Sequence, residues 1–569
     1  MTARRPCEED FLLRPNAADA AFKFGLEKLK DGHLRSGLTL VEWALKVDPY
    51  DSVVRENYGV GLLNAGKAAG ALVQLRKSMA LRCDRPSVYV HLGSALQRVG
   101  DSRDAARAYE RALTHGVLRA DVINALGSLI DDQVEGDRAR RCFMTALSLL
   151  PEYAKALTNY SLACKKYYGM QEALVWAERA TNAAPESAEL AYNKACLMQE
   201  ARLLSKARAE YGRAIELSSD HAEARFNRAT LSLLLGDYSS GWAEYEWRWK
   251  TKVSRNLSAV LDDVSLSCLR ENLKGSTLLL SHEQGLGDTI QFCRYGAIAA
   301  RAGARVVMLV PRALARLLSR QEWVSQVIVI GESVPTVDFH LPMMSLPRVF
   351  NTTVKTIPFG DTPYLSSSAS DAATFAELLG ETRGDTSLIK PGLRVGLVWN
   401  GGFRPDRPEL WETNRRRNVP LEIFAEALDL PGIEFVSLQK GDPAESELRG
   451  REREYWRRGR VLNLVDRIVD FADTAAIIAN LDLVISVDTS TAHVAAAMGK
   501  PTWILNRFET CWRWFLDRND SPWYPAVRLY RQEADRDWRP VLKRVAADLV
   551  HLSPHKARSR SVDIMASYR

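Results

Sequence analysis

A period of 34 residues runs through the first 250 residues, and it constrains the fold more than any other feature of the sequence. Prolines recur in one register at Pro49, Pro151 and Pro185. Small residues fill a column one period apart: Gly25, Gly59, Gly93, Gly127, Ser161, Ala195 and Ala229. A second small column follows: Ala44, Ser78, Ala112, Ala146, Ala180 and Ala214. Small residues let helices approach closely and proline ends a helix, so the pattern predicts stacked pairs of antiparallel helices.

This repeat resembles the tetratricopeptide repeat (TPR), whose helix pairs stack into a superhelix with a concave groove. The resemblance implies about seven repeats over residues 18–250. Two residues before the first column of small residues, a further column contains Asn57, Asn159, Asn193 and Asn227. The architecture resembles the O-GlcNAc transferases, in which a comparable asparagine ladder holds the acceptor polypeptide. An amide can hydrogen-bond an extended backbone, but Asn is also common at this TPR position without that role.

The last repeat ends in three tryptophans, Trp242, Trp247 and Trp249. A solenoid end needs a cap. We therefore expect these side chains to pack against the next domain rather than to bind a ligand.

The period changes after the array, where short apolar runs alternate with amphipathic stretches. Such alternation predicts parallel strands joined by helices. Two tandem units of this kind predict a ligand at the carboxyl ends of the strands. The predicted strands of the first unit are Ser276–His282, Ala304–Val310, Gln326–Ile330 and Val337–Leu341. Those of the second are Leu393–Asn400, Ile433–Gln439, Asp482–Asp488 and Pro501–Leu505.

The predicted fold class is thus an all-α TPR solenoid followed by an α/β unit of two Rossmann-like domains. This is the GT-B arrangement of glycosyltransferases, but epimerases and periplasmic binding proteins share it, so the fold alone does not decide the function. The domains divide as an N-terminal tail (1–17), the array (18–250), a connector (251–275), the first Rossmann-like domain (276–370), a linker (371–391), the second, donor-binding domain (392–550) and a basic tail (551–569).

Directly after the first predicted strand comes EQGLGDTIQFCRY. Gly285 and Gly287 permit a tight turn with backbone close to a ligand. Asp288 falls near the start of the next helix, where the helix dipole favours a carboxylate. The alternative interpretation is that Asp288 only caps that helix.

The second motif is ISVDTSTAHVAAAMGKPTWIL, a strand, turn, helix and strand. Thr489, Ser490 and Thr491 place hydroxyls and free N–H groups at a helix start, which suits a diphosphate. His493 lies one turn further on and either donates to a phosphate or caps the turn.

Together, the G-L-G-D and D-T-S-x-x-H-x-A-A-A-x-G-K-P motifs are similar to those of the heptosyltransferase-type glycosyltransferases. Joined to the array, they resemble the bacterial TPR-glycosyltransferases. The resemblance implies that Asp288 is the general base and that a segment near Arg417 offers a cation to the departing phosphate. The remaining implied donor contacts are the diphosphate group (Asp488, Thr489, Ser490, Thr491 and His493), the nucleoside group (Gln439 and Lys440) and the glycine loop (Gly401 and Gly402).

Composition excludes several other classes. The 77 basic and 70 acidic residues leave a formal charge of +7, too diffuse to argue for nucleic acid. No apolar run is long enough to span a membrane. The eight cysteines are scattered without a CxxC pair, which favours a reduced, cytoplasmic protein. No metal or other cofactor is expected, because the only DxD is Asp535-Arg536-Asp537 near the end.

The sequence therefore predicts an inverting, metal-independent glycosyltransferase. It would use a nucleotide-sugar donor and a hydroxyl of a protein or glycan acceptor, with the array recruiting that acceptor or a partner protein. The alternative hypothesis is a TPR scaffold whose GT-B half has decayed into a docking module. Asn400, Gly402 and Asn418 favour this alternative, because they depart from the W-A-G-N and R-S-x-P-L patterns of close relatives.

Overall fold

The computed structural model describes residues 17–132, 136–251, 273–381, 393–402 and 411–552. The chain divides into two compact units, residues 1–220 and 221–569. Most of the predicted tails and connector, and residues 382–391 of the predicted linker, lie outside the described residues.

The described part of the first unit is built from six pairs of helices. Their bounds are α1 (Ala17–Lys30), α2 (Leu34–Val47), α3 (Ser52–Asn64), α4 (Ala68–Leu81), α5 (Pro86–Val99), α6 (Ser102–Thr114), α7 (Ala120–Asp132), α8 (Gly136–Leu149), α9 (Ala154–Tyr167), α10 (Met170–Ala183), α11 (Ala188–Glu200) and α12 (Leu204–Leu217). Counted from α3, the first helix of each pair begins 34 residues after the start of the first helix of the preceding pair. The predicted TPR-type array is confirmed.

The small residues of the first column leave room for large side chains of the partner helix. A Cβ atom at Gly59 would lie 2.7 Å from Leu75 Cγ, and one at Gly93 would lie 2.8 Å from the Tyr109 ring. Real Cβ atoms do not approach so closely, so these helices are this near because the glycines have no side chain.

The second unit begins with a seventh helix pair, α13 (Ala222–Leu234) and α14 (Tyr238–Tyr245), followed by the 3-10 helix Glu246–Lys250. Trp242 is buried and packs edge-on against Trp512, with ring centroids 5.3 Å apart. Trp523 Nε1 donates to the Tyr238 hydroxyl at 2.9 Å. This helix pair therefore shares a core with the α/β part of its own unit, as expected for Trp242.

Trp247 and Trp249 are half-buried and contact cations. Arg225 and Lys250 lie over the Trp247 ring, and Arg248 lies over the Trp249 ring at 4.5 Å. These cation–π contacts bind the end of the helix pair together.

The first sheet has four parallel strands in the order β3-β2-β1-β4. The strands are β1 (Thr277–Ser281), β2 (Arg305–Val310), β3 (Gln326–Val329) and β4 (Phe339–Pro342). The helices that accompany them are Leu286–Phe292, Arg294–Arg301, Arg312–Ser319, Leu346–Val349 and Ala369–Glu381, with 3-10 turns at Met343–Ser345 and Val354–Thr356.

The second sheet has six parallel strands in the order β10-β9-β8-β5-β6-β7. The strands are β5 (Leu393–Val398), β6 (Ile433–Ser437), β7 (Arg460–Asn463), β8 (Leu483–Val487), β9 (Thr502–Asn506) and β10 (Val527–Arg531). The helices are Trp411–Arg417, Leu421–Leu428, Ala444–Leu448, Glu452–Tyr455, Phe471–Ala479, Ser490–Ala497 and Arg539–Leu552, with 3-10 turns at Val465–Arg467 and Trp512–Trp514.

All eight predicted strands are present, and the predicted class of solenoid plus two parallel α/β sheets, consistent with GT-B, is confirmed. The sequence prediction missed β7 and β10. Both are edge strands of the second sheet, with one arginine in β7 and two in β10 beside the apolar residues. The polar residues shorten the continuous apolar run that marks a buried parallel strand.

Candidate functional site

The first motif forms the turn between β1 and the helix Leu286–Phe292. Gln284 has a left-handed backbone with φ of 61°, which turns the chain sharply out of the strand. Gly285 is the residue before the helix, and its N–H donates to Asp288 Oδ2 at 2.7 Å. Asp288 therefore does contribute to capping, with one of its two oxygens.

The other oxygen of Asp288 contacts a residue that sequence analysis did not single out. Asp288 Oδ1 pairs with Arg513 Nη2. Arg513 belongs to the 3-10 turn Trp512–Trp514, which follows β9. Burial lowers the pKa of Arg513, but the Asp288 carboxylate, Cys511 and Tyr245 together hold that pKa above its ordinary value. Arg513 therefore stays a cation although it is buried.

The second motif forms the turn between β8 and the helix Ser490–Ala497. Thr489 precedes the helix, and its hydroxyl accepts from the Ala492 N–H at 3.4 Å and lies 2.9 Å from Ser486 Oγ. Asp488, Thr489 and Ser490 are half-buried, whereas Thr491 is buried. The surface that this turn offers to a ligand is therefore made by residues 488–490.

His493 lies beneath that turn, in the interior. Its ring stacks on Trp514 and its Nδ1 lies 2.7 Å from the Tyr524 hydroxyl. Burial lowers the pKa of His493 to about 4, although the Asp488 carboxylate, 3.8 Å from Nε2, acts in the opposite direction. A neutral imidazole with Nε2–H facing Asp488 and Nδ1 accepting from Tyr524 satisfies both neighbours.

The two motifs meet in the folded unit. A Cβ atom at Gly287 would lie 2.8 Å from His493 Cδ2 and 3.5 Å from Ser490 Cα. The start of the helix Leu286–Phe292 therefore rests on the start of the helix Ser490–Ala497. The glycine at position 287 is what allows this approach, because any side chain there would collide with His493.

Arg417 lies beside the second motif. Its Nη1 donates to the Asp488 carbonyl at 3.0 Å, and its Nη2 donates to Asn414 Oδ1 at 2.6 Å. A Cβ atom at Gly401 would collide with the same guanidinium. Of the three adjacent arginines, Arg415 is exposed and Arg416 lies 3.6 Å from Glu509. The structure thus places Arg417, the predicted cation, at the turn.

Asn418 and Gln439 organise the loop that follows β5. Asn418 Oδ1 accepts from the Gly401 N–H at 2.9 Å. Gln439 Oε1 accepts from the N–H groups of Trp399 and Asn400, at 3.2 and 2.9 Å. Gln439 is buried, and its predicted nucleoside contact stays a prediction.

Gly402 and Lys440 lie further out. Gly402 is exposed, with no atom within 4 Å of a Cβ placed there. Lys440 is exposed and donates from Nζ to the Val465 carbonyl at 3.1 Å. The structure therefore brings Gly285, Gly287, Asp288, residues 488–493, Arg417 and Gly401 together in direct contacts, but records no contact of Gly402 or Lys440 with them.

The groove asparagines make several contacts of their own. Asn159 Nδ2 lies within hydrogen-bonding distance of Asn124 Oδ1 at 3.1 Å and Ser128 Oγ at 2.9 Å, both in the preceding repeat. Asn57 Nδ2 donates to the Val53 carbonyl at 2.8 Å. Asn193 and Asn227 are half-buried. Peptide binding by this column stays a prediction.

Among the described residues, no group of three or more His, Cys, Asp and Glu residues is placed to hold a metal ion. In the same part of the chain, no helix is long and apolar enough to cross a bilayer. Asp535 and Asp537, the predicted DxD pair, accept from nearby backbone N–H groups in a turn.

These features define a class of protein: a TPR-type array followed by an α/β unit with two motif-bearing turns in contact. Residues 439–505, which include β7, β8, most of β9 and the second motif, match glycosyltransferase family 9 (heptosyltransferase). This part of the chain is therefore similar to a glycosyltransferase family 9 domain, and the predicted class of enzyme, a glycosyltransferase, is confirmed.

One curated relative and several solved structures are similar to parts of this chain. Protein FlbA of Caulobacter vibrioides (strain ATCC 19089 / CIP 103742 / CB 15) is 26% identical over 490 residues, which are 81% of this chain and 72% of that protein. The TPR protein YrrB is 20% identical, with a TM-score of 0.28, over 33% of this chain and 97% of YrrB. A tetratricopeptide repeat protein from Parabacteroides merdae ATCC 43184 is 14% identical, with a TM-score of 0.37, over 42% of this chain and 96% of that one.

Proposed function

We propose that the α/β unit is an inverting glycosyltransferase that moves a sugar from a nucleotide-sugar donor to a hydroxyl of a protein or glycan. The observation that carries the proposal is the contact between the two motifs, in which Gly287 lies against Ser490 and His493. This contact brings a carboxylate suited to deprotonate an acceptor and a helix start suited to hold a diphosphate into one site.

In the proposed reaction, the acceptor oxygen attacks the anomeric carbon while Asp288 takes the proton of that hydroxyl. The bond from the anomeric carbon to the phosphate oxygen breaks, and its electron pair leaves with the nucleoside diphosphate. A single displacement of this kind inverts the configuration at the anomeric carbon. Asp288 is 19% exposed in its side chain, which leaves it accessible to an acceptor.

The charge that develops on the leaving diphosphate needs compensation. The free N–H groups at the start of the helix Ser490–Ala497 and the hydroxyls of Thr489 and Ser490 supply hydrogen bonds. Arg417, held by the Asp488 carbonyl, supplies a positive charge, and this is why we propose a metal-independent mechanism. The Asp488 carboxylate would repel a phosphate. We therefore propose that Asp488 contributes through its backbone carbonyl, which holds Arg417.

We further propose that the array recruits the acceptor or a partner protein through its concave groove, and that the enzyme works in the cytoplasm. The six cysteines of the described residues are all free thiols, which supports a reducing compartment.

Donor binding tests the proposal first. Thermal shifts would be measured with UDP-, GDP-, ADP-, dTDP- and CMP-sugars on the wild type and on Thr489→Ala/Ser490→Ala. We expect one nucleotide class to raise the Tm of the wild type, since a ligand that binds only the folded state stabilises it. The double variant should lose that shift.

The control is Thr145→Ala/Ser148→Ala, two exposed hydroxyls on α8. Because loss of the Thr489 cap lowers stability by about 1 kcal/mol by itself, each shift is referred to the variant's own ligand-free Tm. In a turnover assay with the same donor, Asp288→Asn should keep the shift and lose about 10²- to 10⁴-fold in kcat. No shift with any sugar would instead support the docking-module hypothesis.

A further inference from the structure

Arg513 contacts several side chains besides Asp288. Its Nε donates to Gln291 Oε1 at 2.5 Å and its Nη1 to Cys511 Sγ at 3.1 Å, while Nη2 pairs with Asp288. The guanidinium also lies over the Trp512 ring at 4.2 Å. Arg513 and Gln291 are both buried. The arginine is thus held on every side before any substrate arrives.

The arrangement also fixes the orientation of the Asp288 carboxylate. One oxygen accepts from the Gly285 N–H and the other contacts Arg513. A carboxylate held at both oxygens cannot rotate freely, and its remaining lone pairs keep one direction. Small errors in the placement of a reacting group cost about 10²-fold in rate, so this restraint matters for a base.

The ion pair joins the two α/β sheets of the unit. Asp288 follows β1 of the four-stranded sheet, whereas Arg513 follows β9 of the six-stranded sheet. The carboxylate is therefore held in this orientation only when both sheets have this arrangement.

We propose that Arg513 is a positioning residue that orients the Asp288 carboxylate for proton abstraction. The proposal rests on the function proposed above. Arg513 acts through Asp288 and not on the donor, since its contacts are with Asp288, Gln291, Cys511 and Trp512 and not with the turn at residues 488–490.

The test compares Arg513→Met and Arg513→Lys with the wild type, using the nucleotide sugar that stabilises the wild type. We expect Arg513→Met to lower kcat by about 10- to 10²-fold while the donor-induced thermal shift stays unchanged. Arg513→Lys should recover part of the loss, because it restores the charge but not the fork geometry.

Two further variants separate positioning from a general loss of structure. Arg518→Met removes an arginine that pairs with the exposed Asp520, and it should behave as the wild type. In an Asp288→Asn background, Arg513→Met should change the residual kcat by less than about 2-fold, because residues that act as a unit are not additive.

The proposal is overturned if Arg513→Met keeps the wild-type kcat. It is also overturned if Arg513→Met lowers kcat as much in the Asp288→Asn background as in the wild type, or if Arg513→Met abolishes the donor-induced thermal shift. A wild type that turns over no nucleotide sugar refutes the proposed function itself, and the positioning role with it. Normal turnover by the wild type and by both Arg513 variants refutes only the positioning role.

Discussion

At the scale of single residues, the second motif depends on a histidine that is neutral. His493 is surrounded by Trp514, Tyr524 and the helix it belongs to, and burial lowers its pKa to about 4. A charged imidazole at this place would stand next to Arg513, which contributes to lowering the same pKa. The neutral form lets the helix Ser490–Ala497 lie close to Gly287 without adding a buried charge.

The buried imidazole gives stability a defined pH dependence. In the unfolded chain the pKa of His493 returns to about 6.5, so between about pH 6.5 and 4 the unfolded state binds more protons than the folded state. The free energy of unfolding should therefore fall as the pH falls through that range, by on the order of 3 kcal/mol for this group. Denaturant unfolding of the wild type and of His493→Gln at pH 7 and pH 4.5 measures it.

We expect His493→Gln to lose less stability than the wild type between these two pH values, because glutamine does not titrate. His551, which lies near the end of the last described helix and whose side chain is exposed, serves as a control in His551→Gln. An equal pH dependence in wild type and His493→Gln would show that the imidazole is not buried in the neutral form.

At the scale of elements, the turn after β1 is held from two directions. Arg513 contacts it at Asp288. From the other direction, Arg248 donates to both oxygens of Glu283, at 2.9 and 3.0 Å, and the Tyr245 hydroxyl donates to Gln284 at 3.2 Å. Arg248 and Glu283 are buried, so the 3-10 helix Glu246–Lys250 acts as a support for the turn.

Breaking this buried pair on one side should be costly. In Arg248→Met, Glu283 would remain buried without its cation, and we expect a loss of about 3–5 kcal/mol in the free energy of unfolding. Arg248→Met/Glu283→Gln should recover part of the loss, since the uncompensated charge is then removed. Urea unfolding of the three proteins provides the measurement.

A matched comparison is Arg449→Met, which breaks a surface ion pair with Glu445 at spacing i,i+4. The side chain of Arg449 is 51% exposed. A surface pair of this kind contributes about 0–1 kcal/mol. If Arg248→Met cost no more than Arg449→Met, the buried pair would not support the turn as we describe.

The elements that were missed in the sequence share a physical cause. β7 and β10 lie at the edges of the second sheet, and arginine interrupts the apolar run of each. The edge strands β3 and β4 of the first sheet were predicted, so edge position alone does not hide a strand. Which strands lie at the two edges of a sheet depends on pairings far along the chain. Local periodicity carries no information on those pairings.

At the scale of the whole molecule, the chain combines a repeat array with a sugar-transferring domain. Substitution of the asparagines predicted to hold the acceptor tests whether the array takes part in the reaction. We expect Asn159→Ala/Asn193→Ala/Asn227→Ala to lower turnover of a protein acceptor by about 10-fold or more, because each lost bond to a peptide backbone costs about 1 kcal/mol. The hydrolysis of the donor by water, measured as release of the nucleotide, should be unaffected.

Asn182→Ala, an exposed asparagine on α10, is the comparison for the ladder variant. Since Asn159 also bonds to Asn124 and Ser128 of the preceding repeat, the thermal stability of the triple variant must be measured beside its turnover. Unchanged turnover of protein acceptors by a folded triple variant would exclude the ladder as the acceptor site.

The sequence by itself determined the array, the parallel α/β class and the two motifs, because each is written in neighbouring residues: a 34-residue period, apolar runs, and a strand–turn–helix. It also led to Arg417, which lies at the second motif. Only the tertiary structure decided that Arg513 pairs with Asp288, 225 residues away, and that Arg248 supports Glu283. Such pairs form because buried charges require partners, and the partner is whichever group the packing of distant elements brings near.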